Sequence, residues 1–108
     1  MSQATFREFL KEASAAYREG LGARLARIDA AWNALAKGAS AELAGIEREL
    51  HSIAGSAETF GMPGAGRAAR AAESLVARWR GRDTAPTAAQ RARFEALLDA
   101  LRRAARGG

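Results

Sequence analysis

His51 is the only histidine in the chain, and there is no cysteine. The missing cysteines exclude disulfides, thiolate metal sites and cysteine nucleophiles. That leaves one imidazole as the natural carrier of nucleophilic chemistry. With an ordinary pKa of about 6.5, an imidazole is mostly neutral at cytoplasmic pH and keeps a nucleophilic nitrogen. It attacks phosphorus directly, giving a phosphoramidate labile enough to pass its phosphoryl group onward. A residue used in this way needs exposure and does not need a pocket.

The residues around His51 decide whether it has that exposure. Ile46, Leu50, Ile53, Ala57 and Phe60 recur at helical spacing and define an apolar seam. At about 100° per residue, His51 lies about 140° from the centre of that seam and Gly55 about 180°. This places His51 toward water, among Ala44, Arg48, Gly55 and Glu58, with Glu47 near one edge. The geometry disfavours a satisfied core histidine and leaves an ordinary surface histidine as the rival reading. Gly55 adds to the case. A glycine on the solvent side of a helix interior costs stability and packs nothing, yet it clears space one turn after the imidazole for a docking partner.

The elements that position this face are helical throughout. Phe6, Leu10, Ala13, Tyr17, Leu21, Leu25, Ile28, Trp32 and Leu35 recur at steps of three and four. Thr5 and Glu8 have capping-box spacing, which starts a helix near Thr5. Gly20 and Gly22 interrupt the pattern. The segment is therefore one long helix, or a short helix joined to a longer one near residues 11–15. Gly38 suits its C-terminal cap and Ser40 the next N-cap, with Glu42 in the first turn. Gly61, Pro63, Gly64 and Gly66 mark a turn. A third helix follows from about Ala65 to Arg80, with Ala69, Ala72, Leu75, Val76 and Trp79 on one side. Gly81 to Pro86 connect it to a fourth, where Thr87 and Gln90 again have capping-box spacing and Phe94, Leu97, Leu98, Leu101 and Ala105 form the seam. Tyr17, Trp32, Phe60, Trp79 and Phe94 read as core. Short connections make successive helices antiparallel neighbours. The expected fold is all-α: one domain over residues 1–108, an antiparallel up-down four-helix bundle with room for a short extra N-terminal helix.

Charge is unevenly placed. Residues 1–58 hold 7 Lys/Arg and 8 Asp/Glu, a net −1, while residues 59–108 hold 10 Arg and 4 Asp/Glu, a net +6. The arginines are spread over two helices without a recognition-helix signature, and few aromatics are present to stack on bases. A solvated face or a surface steering an acidic protein partner is preferred over a nucleic-acid surface. No apolar run approaches the roughly 20 residues of a membrane span, and the N-terminus carries no signal-peptide pattern. The expected location is cytoplasmic. The glycines of 61–66 lack the lysine and hydroxyl of a P-loop and follow no strand.

The segment His51-Ser52-Ile53-Ala54-Gly55-Ser56-Ala57, followed by Phe60-Gly61-Met62-Pro63, resembles the histidine-containing phosphotransfer (HPt) domains. Their motif reads approximately His-x-Leu-Lys-Gly-Ser-Ala, then about three residues, then glycine and a hydrophobic residue. Farther on, a Leu-Glu pair common in the family is matched in register by Ala72-Glu73. The closest similarity covers residues 50–73, and the helical layout extends it over nearly the whole chain. The resemblance implies a four-helix bundle without enzymatic activity of its own. It makes His51 the phosphoacceptor of a two-component phosphorelay, taking a phosphoryl group from a receiver-domain aspartate and passing it on reversibly. The Mg²⁺ of that reaction would belong to the receiver, so neither cofactor nor metal is expected on this chain. The expected partners are a response-regulator receiver domain, a hybrid histidine kinase, or both, with no membrane contact and a monomeric bundle.

One position departs from the pattern: the family's lysine three residues after the histidine is Ala54. Arg48, one turn before His51 on the same face, is the candidate substitute as a charge-assisted donor, and Gly55 is the space-clearing residue. Ala44, Glu47, Ala54 and Glu58 are read as the docking face. Ser56 lies about 80° from the seam, where it packs on a neighbouring helix or bonds a carbonyl. The alternative function is an adaptor or inhibitor of the same fold that binds a receiver or histidine kinase without transfer. The histidine favours transfer, and the missing lysine at Ala54 keeps the alternative open.

Overall fold

A computed structural model of the chain describes residues 2–35, 42–82 and 85–107. It contains four helices: α1 (Gln3–Leu35), α2 (Glu42–Ser56), α3 (Pro63–Arg82) and α4 (Ala88–Gly107). Each packs antiparallel to the next, and α4 returns to α1. Cross-helix pairs show the directions. Tyr17 meets Ser56 and Arg24 meets Glu49 between α1 and α2. His51 meets Glu73 and Glu47 meets Arg80 between α2 and α3. The all-α, up-down four-helix bundle expected from periodicity is the fold observed. No helix among the described residues is long and apolar enough to cross a membrane.

The first helix is continuous, so Gly20 and Gly22 are absorbed without a break, and among the described residues no separate helix precedes it. It begins earlier than its capping pattern predicts. Ser2, not Thr5, is the N-cap, its Oγ accepting from the backbone N–H of Thr5 at 3.2 Å. Burial also begins later than the pattern predicts. Leu21, Leu25, Ile28 and Trp32 are buried, while Phe6 is 54% and Phe9 60% exposed. The reason is length. Tyr17 already lies level with Ser56 at the end of α2, so the preceding turns of α1 overhang the α2–α3 turn. A helix of 33 residues is about 50 Å long, which matches the 53 Å long axis of the molecule.

Two junctions follow local sequence chemistry closely. At the end of α2, Gly61 has φ +80. The Met62 N–H donates to the Ala57 carbonyl at 2.8 Å and the Gly61 N–H to Glu58 at 3.1 Å, the paired bonds of a Schellman C-cap. Met62 then buries its side chain completely. Pro63 opens α3, where its missing N–H costs nothing. Gly64 and Gly66 therefore lie in the first turns of α3 and not in the loop assigned to them. At the start of α4, Thr87 Oγ1 accepts from Gln90 N–H at 3.1 Å, and Gln90 Oε1 accepts from Thr87 N–H at 2.7 Å, the predicted capping box. The caps expected at Gly38 and Ser40 lie outside the described residues.

The core runs along all four helices. One end of it is aromatic, with Phe94 edge-on to Trp32 and Trp79 at centroid distances of 4.4 and 5.6 Å. Trp32 Nε1 donates to Glu95, and the Arg91 guanidinium sits over the same indole. Tyr17 and Phe60 are half-buried, not core. They stack on each other at 4.8 Å where the overhang of α1 begins.

Candidate functional site

α2 is held on both flanks, and this fixes which of its residues remain on the open face. On the α1 side, Arg24 donates to Glu49 and to Ser52 Oγ, the latter at 2.7 Å. Ser56 Oγ donates to the Ser52 carbonyl and accepts from the Tyr17 hydroxyl, both at 2.8 Å. Ser56 thus bonds a carbonyl and a neighbouring helix, as its angle on the wheel predicts. On the α3 side, Arg80 is paired with Glu47, and Gly66 brings the two backbones together near Ala54, Ala57 and Glu58. His51 stands between these flanks with its side chain 78% exposed.

The imidazole is exposed but not free to turn. Its Nδ1 lies 2.7 Å from Oε2 of Glu73 on α3, whose side chain is only 21% exposed. A carboxylate has no proton to give, so the neutral ring places its own proton on Nδ1 and donates it. Nε2 is then the unprotonated nitrogen, with its lone pair directed away from Glu73. The pair therefore fixes both the tautomer and the ring orientation of an exposed imidazole.

The residues read as the surrounding face separate into two groups. Arg48 and Glu58 are exposed, Ala44 and Glu47 are half-buried, and Gly55 has open space where a Cβ would be. Ala44, Glu47, Arg48, His51, Glu73 and Arg80 line a shallow open concavity beside the imidazole. Ala54 does not belong to the docking face. It is 5% exposed and part of the core, because it lies about 80° from the seam centre on the flank that α3 covers. Its carbonyl accepts a hydrogen bond from Arg70 Nη2 at 3.3 Å. Single-helix reasoning did not bring to this face Glu73, bonded to His51, or Arg70, bonded to the Ala54 carbonyl. Once Gly61 is taken as the turn, antiparallel pairing brings together residues about equally far from it on either side, and Glu73 falls opposite His51. No group of three or more His, Asp or Glu among the described residues is placed to hold a metal ion.

The sequence model of the Hpt domain matches residues 7–104. The chain belongs to the Hpt family. A search of curated proteins and one of solved structures return no match. Hpt domains are phosphocarriers of phosphorelays that interact with receiver domains and histidine kinases, and they have no catalytic activity of their own. In this Hpt domain the fold carries one imidazole outward on α2, with α3 supplying the carboxylate that orients it.

Proposed function

We propose that this chain is a phosphorelay intermediate in which Nε2 of His51 accepts a phosphoryl group from a receiver-domain aspartyl phosphate and passes it to another receiver. The observation that carries this reading is the Nδ1–Glu73 hydrogen bond on an imidazole left 78% exposed. In the forward step the Nε2 lone pair attacks phosphorus in line with the departing oxygen. The N–P bond forms, the O–P bond breaks, and its electron pair returns to the aspartate as carboxylate. The Nδ1 proton stays on the ring, which becomes cationic, and Glu73 balances that charge through a strengthened hydrogen bond. In the return step the leaving group is the neutral imidazole in its original tautomer, so no proton has to move in either direction.

Docking uses the face formed by the exposed Arg48, Gly55 and Glu58 and the half-buried Ala44 and Glu47. Gly55 allows a partner backbone to approach beside the imidazole. Arg48 lines the same concavity as His51 and serves as a charge-assisted donor to the incoming phosphoryl group. Mg²⁺ is supplied by the receiver, and the bundle acts as a monomer in the cytoplasm.

Incubation with a phosphorylated receiver is expected to leave acid-labile, alkali-stable label on this chain. His51→Gln removes that label while far-UV circular dichroism remains helical. Label persisting in His51→Gln would overturn the assignment. Ala54 in place of the motif lysine favours the second reading, a bundle that binds a receiver or kinase without transfer. A complex with receiver that never gains label supports that reading.

A further inference from the structure

A phosphoryl group on Nε2 brings about two negative charges to a ring already held by the Glu73 carboxylate. Two anions around one imidazole require cationic compensation from this chain or its partner. Most arginines near α2 are already engaged: Arg24 and Arg27 with Glu49 on the α1 side, and Arg80 with Glu47 on the α3 side. Arg70 differs. Among the described residues no carboxylate lies within ion-pairing distance of it, and its bond goes to a neutral acceptor, the Ala54 carbonyl, at a long 3.3 Å.

The placement of Arg70 is specific. It precedes Glu73 by three residues on α3, and its guanidinium rests on a residue three after His51 on α2. Three residues are about 4.5 Å of axial rise, so on both helices Arg70 lies less than one turn from the imidazole along the α2–α3 edge. Nothing bulky stands between on α2. Ala54 contributes one methyl group turned into the core, and Gly55 contributes no side chain and meets nothing within 4 Å.

We propose that Arg70 is a phosphoryl ligand of His51, leaving the Ala54 carbonyl when Nε2 is phosphorylated and donating to the phosphoryl oxygens. The exchange replaces a long neutral-acceptor bond with a charge-assisted one that matches the guanidinium fork to phosphate. Arg70 thereby offsets the repulsion between the phosphoryl group and Glu73 and stabilises the phosphorylated chain. With Arg48 on the other side of the ring, the phosphoryl group sits between cations from two helices. The proposal rests on the phosphorelay reading above. Its competitor is a purely structural role, in which Arg70 caps a carbonyl in the last turn of α2.

The test uses the full chain, a phosphorylated receiver, and the variants Arg70→Ala, Arg70→Gln and Arg70→Lys. The readouts are the equilibrium partition of phosphate between receiver and chain and the hydrolysis rate of the isolated phosphohistidine. Arg70→Gln retains an amide donor for the Ala54 carbonyl without the charge. Arg70→Ala and Arg70→Gln are both expected to shift the partition toward the receiver by about tenfold, the effect of losing one charge-assisted hydrogen bond at an exposed site. Arg70→Lys restores most of the wild-type partition, and thermal stability stays within a few degrees for all three. A wild-type partition in Arg70→Gln overturns the proposal, as does an Arg70→Ala effect that merely tracks a loss of helicity. Labelled wild type with unaffected variants removes Arg70 alone, whereas no label on wild type from receivers that phosphorylate other carriers overturns the phosphorelay reading and this proposal with it.

Discussion

Glu73→Ala removes the acceptor that holds the Nδ1 proton of His51, and the consequence follows from geometry. The 2.7 Å contact is charge-assisted, and its carboxylate is mostly sheltered at 21% exposure. Hydrogen bonds to charged groups contribute about 1.5–3 kcal/mol when sheltered. The imidazole, at 78% exposure, has water available as a substitute, so the lower end applies and screening trims it further. A loss of about 1.4 kcal/mol in the transition state, where the ring gains positive charge, lowers the transfer rate by about tenfold. Part of that loss is tautomeric, because the released ring places its proton on Nε2 for some of the time. Glu73→Gln keeps a neutral acceptor for Nδ1–H and falls between wild type and alanine. Folding is little affected, because a pair with one partner open to water contributes about 0–1 kcal/mol. The assay is single-turnover transfer from a phosphorylated receiver at saturating chain concentration, with ¹⁵N spectra of the one histidine reporting the tautomer. An unchanged rate together with an unchanged Nδ1–H tautomer in Glu73→Ala would refute the positioning role.

The remaining predictions separate docking from folding. Gly55→Trp fills the open space beside His51; it keeps the bundle folded and weakens receiver binding by at least tenfold in a titration, while Gly55→Ala raises helix stability by about 0.5–1 kcal/mol. Gly61→Ala must hold a φ of +80 with a Cβ, and destabilises the bundle by about 1–2 kcal/mol in urea unfolding. Phe94→Ala empties the centre of the Trp32–Trp79 cluster and costs about 3–5 kcal/mol, read as a lower midpoint with transfer unaffected at temperatures where the variant remains folded.

What was legible in the sequence was what depends on neighbours in the chain. The Thr87–Gln90 box forms because its partners are three residues apart, and the outward placement of His51 and Gly55 needs only the pitch of one helix. The misplaced features depend on where another helix begins or ends. Phe6 continues the apolar period of α1, but α2 and α3 turn back before reaching it, and periodicity cannot show where a partner stops. Ala54 and Ser56 lie about equally far from the seam on opposite flanks. One is buried by α3 and the other is bonded to Tyr17 of α1, a difference no single-helix wheel contains. Glu73 and Arg70 come to the site through the antiparallel register of α2 and α3. That register follows from the C-cap at Gly61, so the signal was present only in combination with the turn.

The position of phosphorus on the imidazole tests the central claim most directly. With the chain's one histidine labelled with ¹⁵N and phosphate delivered from a receiver, phosphorus–nitrogen coupling identifies the bonded nitrogen. The orientation imposed by Glu73 predicts coupling to Nε2, with Nδ1 still protonated. Phosphate on Nδ1, or on any residue other than His51, would contradict the account.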